Sequence, residues 1–221
     1  GDGSVDAAPR PPAPPRPSGA GGGGGGARAG ASGGGGGPLR FSSRATRILD
    51  AGAQGVVFPH VENADEARRF VGACRYPPVG SRSLAYGGPQ LEYENLPPEI
   101  LMKGLNEETL IVMMIETPEA VEQAADIAAV EGVDILLIGG SDLSATMGIP
   151  GQFQNPDFIA AIGKIADAAS GAGKWSGLGG VYDEAILPGF AKQGITFFLG
   201  GADMAFILAG GKARGAFFAG L

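Results

Sequence analysis

The sequence is poor in cysteine, in basic residues and in long apolar runs, and each of these features excludes a class of protein. Cys74 is the only cysteine, so an internal disulfide is excluded and a reducing, cytoplasmic compartment fits. Lys and Arg number 16 against 23 Asp and Glu, and the net charge of -7 argues against general nucleic-acid binding. The most apolar stretch, 195–210, contains Asp203 and is too short to span a membrane. We also find no basic start followed by an apolar core, the pattern of a signal peptide.

Residues 1–38 differ in composition from the rest of the chain. They combine a proline-rich stretch, PRPPAPPRPSG, with glycine runs at 21–26 and 33–37, and contain almost no large apolar side chain. Such a segment buries too little surface to offset its chain entropy, so we predict that it is disordered. A linker is the simplest interpretation. The alternatives are a ligand for a polyproline-binding module and GC-rich sequence translated in the wrong frame. Residues 39–221 are long enough for one domain with its own core.

From about residue 45 onward, short apolar runs alternate with helical segments. The runs are continuous and partly β-branched, which is typical of strands buried on both faces of a parallel sheet. The predicted strands lie at 56–59, 111–115, 135–138, 176–180 and 196–199, with 38–41 as a further candidate. Asn63, Thr117 and Pro156 mark predicted helix starts. The alternation predicts an α/β fold with right-handed crossovers, as in a (β/α) barrel. A closed barrel of this type needs eight strands, so about two are missing.

Two acidic residues follow two of these predicted strands. Glu116 comes directly after the run 111–115, and Asp142 comes shortly after the run 135–138. The carboxyl ends of the strands open on one face of a barrel, where catalytic groups collect. Two carboxylates there can hold a hard divalent cation and leave positions open for water and substrate. The alternative is that each acid is a solvated residue near the start of a helix.

Three further features have both a functional and a structural interpretation. His60, the only histidine, is either a general base or a hydrogen-bonded structural residue. Arg40 is either a strand-end arginine that holds a carboxylate or enolate, or a solvated side chain. The glycine pairs at 139–140 and 200–201 either let backbone N–H groups approach an anion such as phosphate, or form tight turns that need a positive φ.

Several segments together resemble the HpcH/HpaI aldolase family, which belongs to the phosphoenolpyruvate/pyruvate barrel superfamily. The similarity extends from about residue 45 to the C-terminus, with the segments in family order. They are LDAGAQGVVFPHVENADEAR (49–68), RYPPVGSRS (75–83), MMIETPEAVEQAADIAAVEGVDILLIGGSDLSATMG (113–148) and, more loosely, SGLGG and FFLGGADM. The resemblance implies a TIM-type (β/α) barrel that is commonly assembled as a homo-oligomer, either a trimer or a hexamer.

The resemblance also implies a class II aldolase. Such enzymes use Mg²⁺, Mn²⁺ or Co²⁺ to polarise the keto oxygen of pyruvate and stabilise its enolate, which is released from, or attacks, an aldehyde. The substrates implied are 4-hydroxy-2-oxo or 2-keto-3-deoxy acids. The metal-ligand glutamate and aspartate of the family match Glu116 and Asp142. Backbone N–H groups around Gly140 and Ser141 would hold the pyruvate carboxylate, and Arg40 would match the arginine that steadies the keto oxygen.

The chain also departs from the family pattern. Nothing upstream of Arg40 resembles the E-H-G segment that carries the catalytic histidine, and His60 lies at a different place. Met114 replaces a glutamine that often precedes the metal-ligand glutamate. The first two barrel strands are absent, which would expose strand edges and an open core. The alternatives to an aldolase are therefore a non-catalytic remnant, truncated or misannotated, and a phosphate-binding barrel that uses the glycine pairs.

Overall fold

The structure, a computed structural model, describes residues 27–28 and 38–221, with side chains from residue 43 onward. The disordered segment predicted at 1–38 lies outside these residues, apart from 27–28 and 38. The strands are β1 (Ala27–Arg28), β2 (Gly55–Phe58), β3 (Leu110–Ile115), β4 (Ile135–Gly139), β5 (Trp175–Gly179) and β6 (Phe197–Phe198). The helices are α1 (Pro38–Asp50), α2 (Ala64–Cys74), α3 (Pro98–Glu108), α4 (Pro118–Glu122), α5 (Ala124–Ala128), α6 (Gly140–Thr146), α7 (Pro156–Gly171), α8 (Leu187–Lys192) and α9 (Asp203–Ala219).

The six strands form one parallel sheet in the order β1-β2-β3-β4-β5-β6. Each strand pairs with the next strand along the chain, and at least one helix lies between any two of them. This is the alternating α/β arrangement that the sequence predicts. Among the described residues β1 and β6 do not pair, so the barrel is not closed.

Five of the predicted strands are confirmed, but the candidate strand at 38–41 is wrong because these residues begin helix α1. Pro38 suits the first turn of a helix, where its missing N–H has no intrahelical partner to lose. The helix is then held by packing, since Ala45 and Leu49 lie one turn apart and are both buried. Four residues are too few for apolar periodicity to separate a strand from a helical turn.

The predicted helix starts are confirmed by side-chain caps. Asn63 Oδ1 accepts the Glu66 N–H at 3.0 Å, and Thr117 Oγ1 accepts the Ala120 N–H at 3.1 Å. Each cap supplies an acceptor to a backbone donor that has no partner inside the helix. These caps begin α2 and α4 directly beyond the carboxyl ends of β2 and β3, so they also define the loops that border the candidate site.

The two faces of the sheet bury different sets of side chains. One face packs against the helices and includes Ile111, Met113, Ile115, Leu136 and Ile138. The opposite face carries a smaller cluster formed by Val112, Met114, Ile135 and Leu137, with Val57, Trp175, Phe197 and Leu199 packed beside it. Because side chains alternate along a strand, Glu116 follows Val112 and Met114 onto the second face. The acid therefore lies where the inner face of a barrel meets its carboxyl end.

A buried arginine joins the amino ends of β3 and β4. Arg75, only 4% exposed, donates to the backbone carbonyls of Asn106, Thr109 and Gly132 and pairs with Asp134 Oδ2 at 2.7 Å. The same carboxylate oxygen accepts the Ile111 N–H at 2.7 Å. Burial raises the pKa of Asp134, and the Arg75 guanidinium opposes that rise. This network lies at the end of the sheet away from Glu116 and serves stability.

Helix α9 has an unusual composition for an exposed helix. All of its residues are exposed, including Met204, Phe206, Ile207, Leu208, Phe217 and Phe218. Its only charged residues are Asp203, Lys212 and Arg214. A helix that is apolar all round is normally buried against another element. No helix within the described residues, α9 included, is long and apolar enough to cross a membrane.

Candidate active site

Glu116 is a buried carboxylate at the carboxyl end of β3. It is 3% exposed, and its Oε2 accepts the backbone N–H of His60 at 2.7 Å. The His60 Nδ1 lies 3.2 Å from the same oxygen. The backbone carbonyl of Glu116 accepts the Thr146 hydroxyl at 2.8 Å. The residue is thus held from the β2 side through its carboxylate and from the end of α6 through its backbone.

The start of α6 brings Asp142 next to this carboxylate. Helix α6 begins at Gly140, immediately after β4, and Asp142 lies in its first turn. Glu116 lies so close to β4 that a Cβ placed on Gly139 would be 2.6 Å from both its Cγ and its Oε1. A side chain at Gly139 would therefore push the carboxylate out of place. Glycine here allows the two strands' acidic groups to approach each other.

The electrostatics of Glu116 follow from this crowding. Burial raises the pKa of its carboxyl, the His60 N–H and imidazole lower it, and the neighbouring Asp142 carboxylate raises it again. Two ionised carboxylates in a half-buried place repel each other unless a cation or a proton lies between them. A pair of this kind, one buried and one exposed, is a common signature of a functional site.

The donor set fits a hard divalent cation. Within the described part of the chain no group of three or more His, Cys, Asp or Glu side chains has metal-binding geometry, so a closed protein cage is not what the fold offers there. Mg²⁺ is commonly held by one or two carboxylates, with water and substrate oxygens in its other positions. Glu116 and Asp142 are the two carboxylates that would hold such a cation, and Asp142 is exposed, which leaves room for the other ligands.

The glycine pair at 139–140 serves close packing. Gly139 has a φ of -84°, so the tight turn with a positive φ considered from the sequence is not needed there. A Cβ on Gly140 would lie 2.6 Å from Val181 Cγ2 and 3.1 Å from the Gly179 carbonyl oxygen. Ser141 Oγ donates to the Gly180 carbonyl at 3.2 Å. The first turn of α6 therefore lies directly against the end of β5, with Gly140 buried and Ser141 exposed.

Arg40 lies in the first turn of α1 and not at the end of a strand. The residue that ends a strand in this part of the chain is Arg28, the last residue of β1, which pairs with Val57 of β2. The sequence did not single out Arg28, because it is surrounded by alanine and glycine and carries no strand pattern of its own. The role predicted for Arg40 stays a prediction.

The sequence did not predict which residue His60 contacts. It follows β2 by two positions, and its only sequence signal was its place beyond the strand-end Pro59. The structure brings it to Glu116, from which it is 56 residues away along the chain. Only the parallel pairing of β2 with β3 places the two residues side by side.

The sequence profile of the HpcH/HpaI aldolase/citrate lyase family matches residues 39–209. The chain belongs to this family. Membership agrees with the parallel sheet and with the position of Glu116 and Asp142 at its carboxyl end, since this is the edge at which (β/α) barrels carry their active sites.

Two relatives within the family are named as aldolases. The chain is 41% identical over 150 residues to the 4-hydroxy-4-methyl-2-oxoglutarate aldolase tasA of Hapsidospora irregularis, a match that covers 67% of this chain and 56% of that protein. It is 37% identical over 172 residues to the 4-hydroxy-2-oxo-heptane-1,7-dioate aldolase of Salmonella paratyphi B, covering 78% and 65% respectively. The chain therefore spans between about half and two thirds of the length of these relatives.

Solved structures agree with this assignment. The HpcH/HpaI aldolase of Desulfitobacterium hafniense DCB-2 superimposes with a TM-score of 0.73 at 30% identity, over 80% of this chain and 68% of that one. Macrophomate synthase superimposes with a TM-score of 0.61 at 28% identity, over 80% and 63% respectively. The described sheet and helices thus have the arrangement of the HpcH/HpaI aldolases.

Proposed function

We propose that this chain is an aldolase that cleaves 4-hydroxy-2-oxo or 2-keto-3-deoxy acids into pyruvate and an aldehyde. The observation that carries the proposal is the meeting of Glu116 and Asp142 at the carboxyl edge of the sheet, one carboxylate buried and the other exposed. The names of two relatives, both aldolases for 4-hydroxy-2-oxo dicarboxylic acids, support the substrate class.

In the proposed reaction, some residues bind the cation and others orient the oxo acid. Glu116 and Asp142 would hold a divalent cation, Mg²⁺ or Mn²⁺ with Co²⁺ as a further candidate, which when bound supplies a Lewis acid that polarises the keto oxygen. The backbone N–H groups around Gly140 and Ser141 would orient the carboxylate of the oxo acid. Arg40 is the candidate carried over from the family for steadying the keto oxygen, and no residue is assigned as the general base.

The bond changes are those of a retro-aldol cleavage. A basic group or water takes the proton of the 4-hydroxyl group, and the C4 oxygen becomes the carbonyl of the aldehyde as the bond between C3 and C4 breaks. The electron pair of that bond forms the C2–C3 double bond of the enolate, which places the negative charge on the keto oxygen. The aldehyde departs, and the pyruvate enolate takes a proton at C3 to become pyruvate. The protein must therefore stabilise negative charge on the keto oxygen, which is the main electrostatic task at such a site.

One structural observation favours the alternative of a non-catalytic remnant. The sheet is open between β1 and β6 within the described residues, and Trp175 and Phe197 on its inner face are only partly buried. An open inner face lets water approach the carboxylates and weakens every electrostatic contact in the site. A chain that folds stably could therefore still lack activity.

Exchange of the pyruvate methyl protons tests the proposal without knowledge of the aldehyde. In D₂O we expect the methyl signal in proton NMR to decay when the protein and Mn²⁺ or Mg²⁺ are both present. Metal alone, or protein with a chelator, is expected to leave the signal at its uncatalysed rate. Exchange that is equally fast with a chelator would contradict a metal-dependent aldolase. The absence of exchange under every condition would favour the remnant.

We also propose that the chain self-associates. Its resemblance to the family implies a homo-oligomer, commonly a trimer or a hexamer. Helix α9 supports this proposal because its large apolar side chains are exposed all round, and clustered exposed apolar side chains commonly mark an interface. A second copy of the chain is the occupant that the resemblance indicates. A cytoplasmic location stays a prediction from the sequence.

Sedimentation velocity tests self-association directly. We expect a species larger than a monomer, and we expect Phe206→Ser to shift the distribution toward the monomer by removing a large apolar group. Lys212→Ser on the same helix is the matched control, since that residue is exposed and charged and its replacement removes no large apolar side chain. A monomeric wild-type protein across the concentration range would overturn the proposal.

A further inference from the structure

The two carboxylate oxygens of Glu116 have different surroundings. Oε2 faces the loop after β2, where it accepts the His60 N–H at 2.7 Å and lies 3.2 Å from His60 Nδ1. Oε1 lies over Gly139, at the start of the helix that carries Asp142. One oxygen is thus occupied by His60, while the other lies over the residue that precedes the helix carrying Asp142.

The loop that carries His60 is attached to the end of β3 at three points. Besides the His60 contact with Glu116, the Val61 N–H donates to the Met114 carbonyl at 3.3 Å. The Thr117 hydroxyl donates to Glu62 Oε2 at 2.9 Å. These bonds fix the loop on both sides of Glu116, so His60 is held in place independently of its own side chain.

The backbone of His60 is unusual in a way that serves this contact. Its φ is +53°, in the left-handed region that is uncommon for residues other than glycine and asparagine. A residue in such a conformation has a measurable energetic cost, and outliers of this kind cluster at active sites and ligand clamps. In this conformation, both the backbone N–H and the imidazole Nδ1 of His60 lie next to Oε2 of Glu116.

We propose that His60 is a positioning residue that occupies Oε2 of Glu116 and so presents Oε1 to the cation shared with Asp142. The proposal rests on the proposed function, because it assumes that Glu116 and Asp142 bind a cation. The imidazole of His60 is 68% exposed, so it does not serve the packing of the core. Partners of this kind, which hold a metal-ligating carboxylate in one orientation, are commonly worth ten- to a hundredfold in metal affinity.

Two substitutions separate the imidazole from the backbone conformation. Glycine and asparagine both accept a positive φ, so His60→Gly and His60→Asn should keep the loop and its N–H contact with Oε2. Glycine removes the imidazole that lies 3.2 Å from Oε2. Asparagine keeps a nitrogen at that place, because its Nδ2 lies at about the same distance from the backbone as the Nδ1 of histidine.

The measurement is the dissociation constant of Mn²⁺ alone, from electron paramagnetic resonance of the free ion, together with the thermal midpoint of the metal-free protein. We expect His60→Gly to weaken Mn²⁺ binding about tenfold and His60→Asn to stay within about twofold of wild type. The metal-free midpoints of the two variants should be similar, since a merely structural role would lower stability and leave intrinsic affinity unchanged. His60→Gly with wild-type affinity would overturn the proposal.

The Glu116→Gln variant distinguishes failure of this inference from failure of the proposed function. If Glu116→Gln binds Mn²⁺ as tightly as wild type, Glu116 is not a ligand, and the proposed function and the role of His60 both fail. If Glu116→Gln loses Mn²⁺ while His60→Gly keeps it, only the positioning role of His60 is wrong. Loss of Mn²⁺ in both variants, with recovery in His60→Asn, supports the inference.

Discussion

Replacing Glu116 by glutamine is expected to abolish metal-dependent exchange of the pyruvate methyl protons, with a fall of about a thousandfold. The reason is that a bound cation supplies several kcal/mol of charge stabilisation at the keto oxygen, and each 1.36 kcal/mol is a factor of ten in rate. The neutral amide of glutamine removes one of only two carboxylates available to the cation. Proton NMR in D₂O with saturating Mn²⁺ measures the loss.

The loss should not come from unfolding. Burial is the main cause that raises the pKa of Glu116, which means that the folded state disfavours the ionised carboxyl. Stability from such a group is lost as pH rises above its unfolded pKa, so at neutral pH an uncharged glutamine should leave the thermal midpoint equal or higher. The amide oxygen can still accept the His60 N–H that now reaches Oε2.

Glu119→Gln is the matched control for this substitution. Glu119 lies three positions further along the chain, in the first turn of α4, and is exposed. The change in net charge is the same, but the side chain belongs to the surface. We expect its exchange rate to equal that of wild type. Equal loss in both variants would mean that Glu116 acts only through net charge, and the site assignment would be wrong.

Replacing Arg75 by methionine is expected to destabilise the domain by about 3–5 kcal/mol, a large share of the roughly 5–15 kcal/mol that holds a typical domain together. Methionine keeps much of the side-chain volume but removes the guanidinium that satisfies three backbone carbonyls and Asp134. The carboxylate of Asp134 would then be largely buried without its cation. Urea unfolding followed by circular dichroism measures the difference.

The pH dependence gives this prediction a second readout. Burial already raises the pKa of Asp134, and Arg75 and the Ile111 N–H lower it. Without Arg75 the folded-state pKa rises further, so the destabilisation should be greatest near neutral pH and shrink as the carboxyl is protonated in acid. Adding Asp134→Asn to Arg75→Met should recover part of the loss, because the uncompensated charge is then gone.

Arg68→Met is the control for the arginine. Arg68 pairs with Asp65 on the surface of α2, where both side chains are more than half exposed. Exposed ion pairs contribute between about 0 and 1 kcal/mol, so a small effect is expected. If Arg75→Met is no more harmful than Arg68→Met, the buried network is not what joins the amino ends of β3 and β4.

The elements that the sequence predicted correctly have strong local signals. The runs that became β3 and β4 are continuous and apolar because both faces of those strands are covered. Asn63 and Thr117 cap the helices that follow, since a side-chain acceptor next to free N–H groups is a purely local requirement. The pair Glu116 and Asp142 could be proposed because strand ends in a parallel sheet share one edge.

The elements that were misread or missed have weak local signals. The segment 38–41 begins α1 because residues further along, Ala45 and Leu49, bury the face of that helix. Helix α3 (Pro98–Glu108) follows a region rich in proline and glycine, and it has one fully buried residue, Leu101, to mark its inner face. The segment after β4 is helix α6, although Gly139 precedes it and Gly140 begins it, because tertiary packing outweighs the poor helix propensity of glycine.

The sequence by itself determined the order of strands and helices, the family, and the two acids at the carboxyl edge, because apolar runs, capping residues and motifs are local patterns. Only the tertiary structure decided that His60 meets Glu116, that Gly139 makes room for that carboxylate, and that Arg28 at the end of β1 pairs with Val57 of β2. These contacts join residues from different strands. Their distances depend on strand register and helix packing, which no local pattern contains.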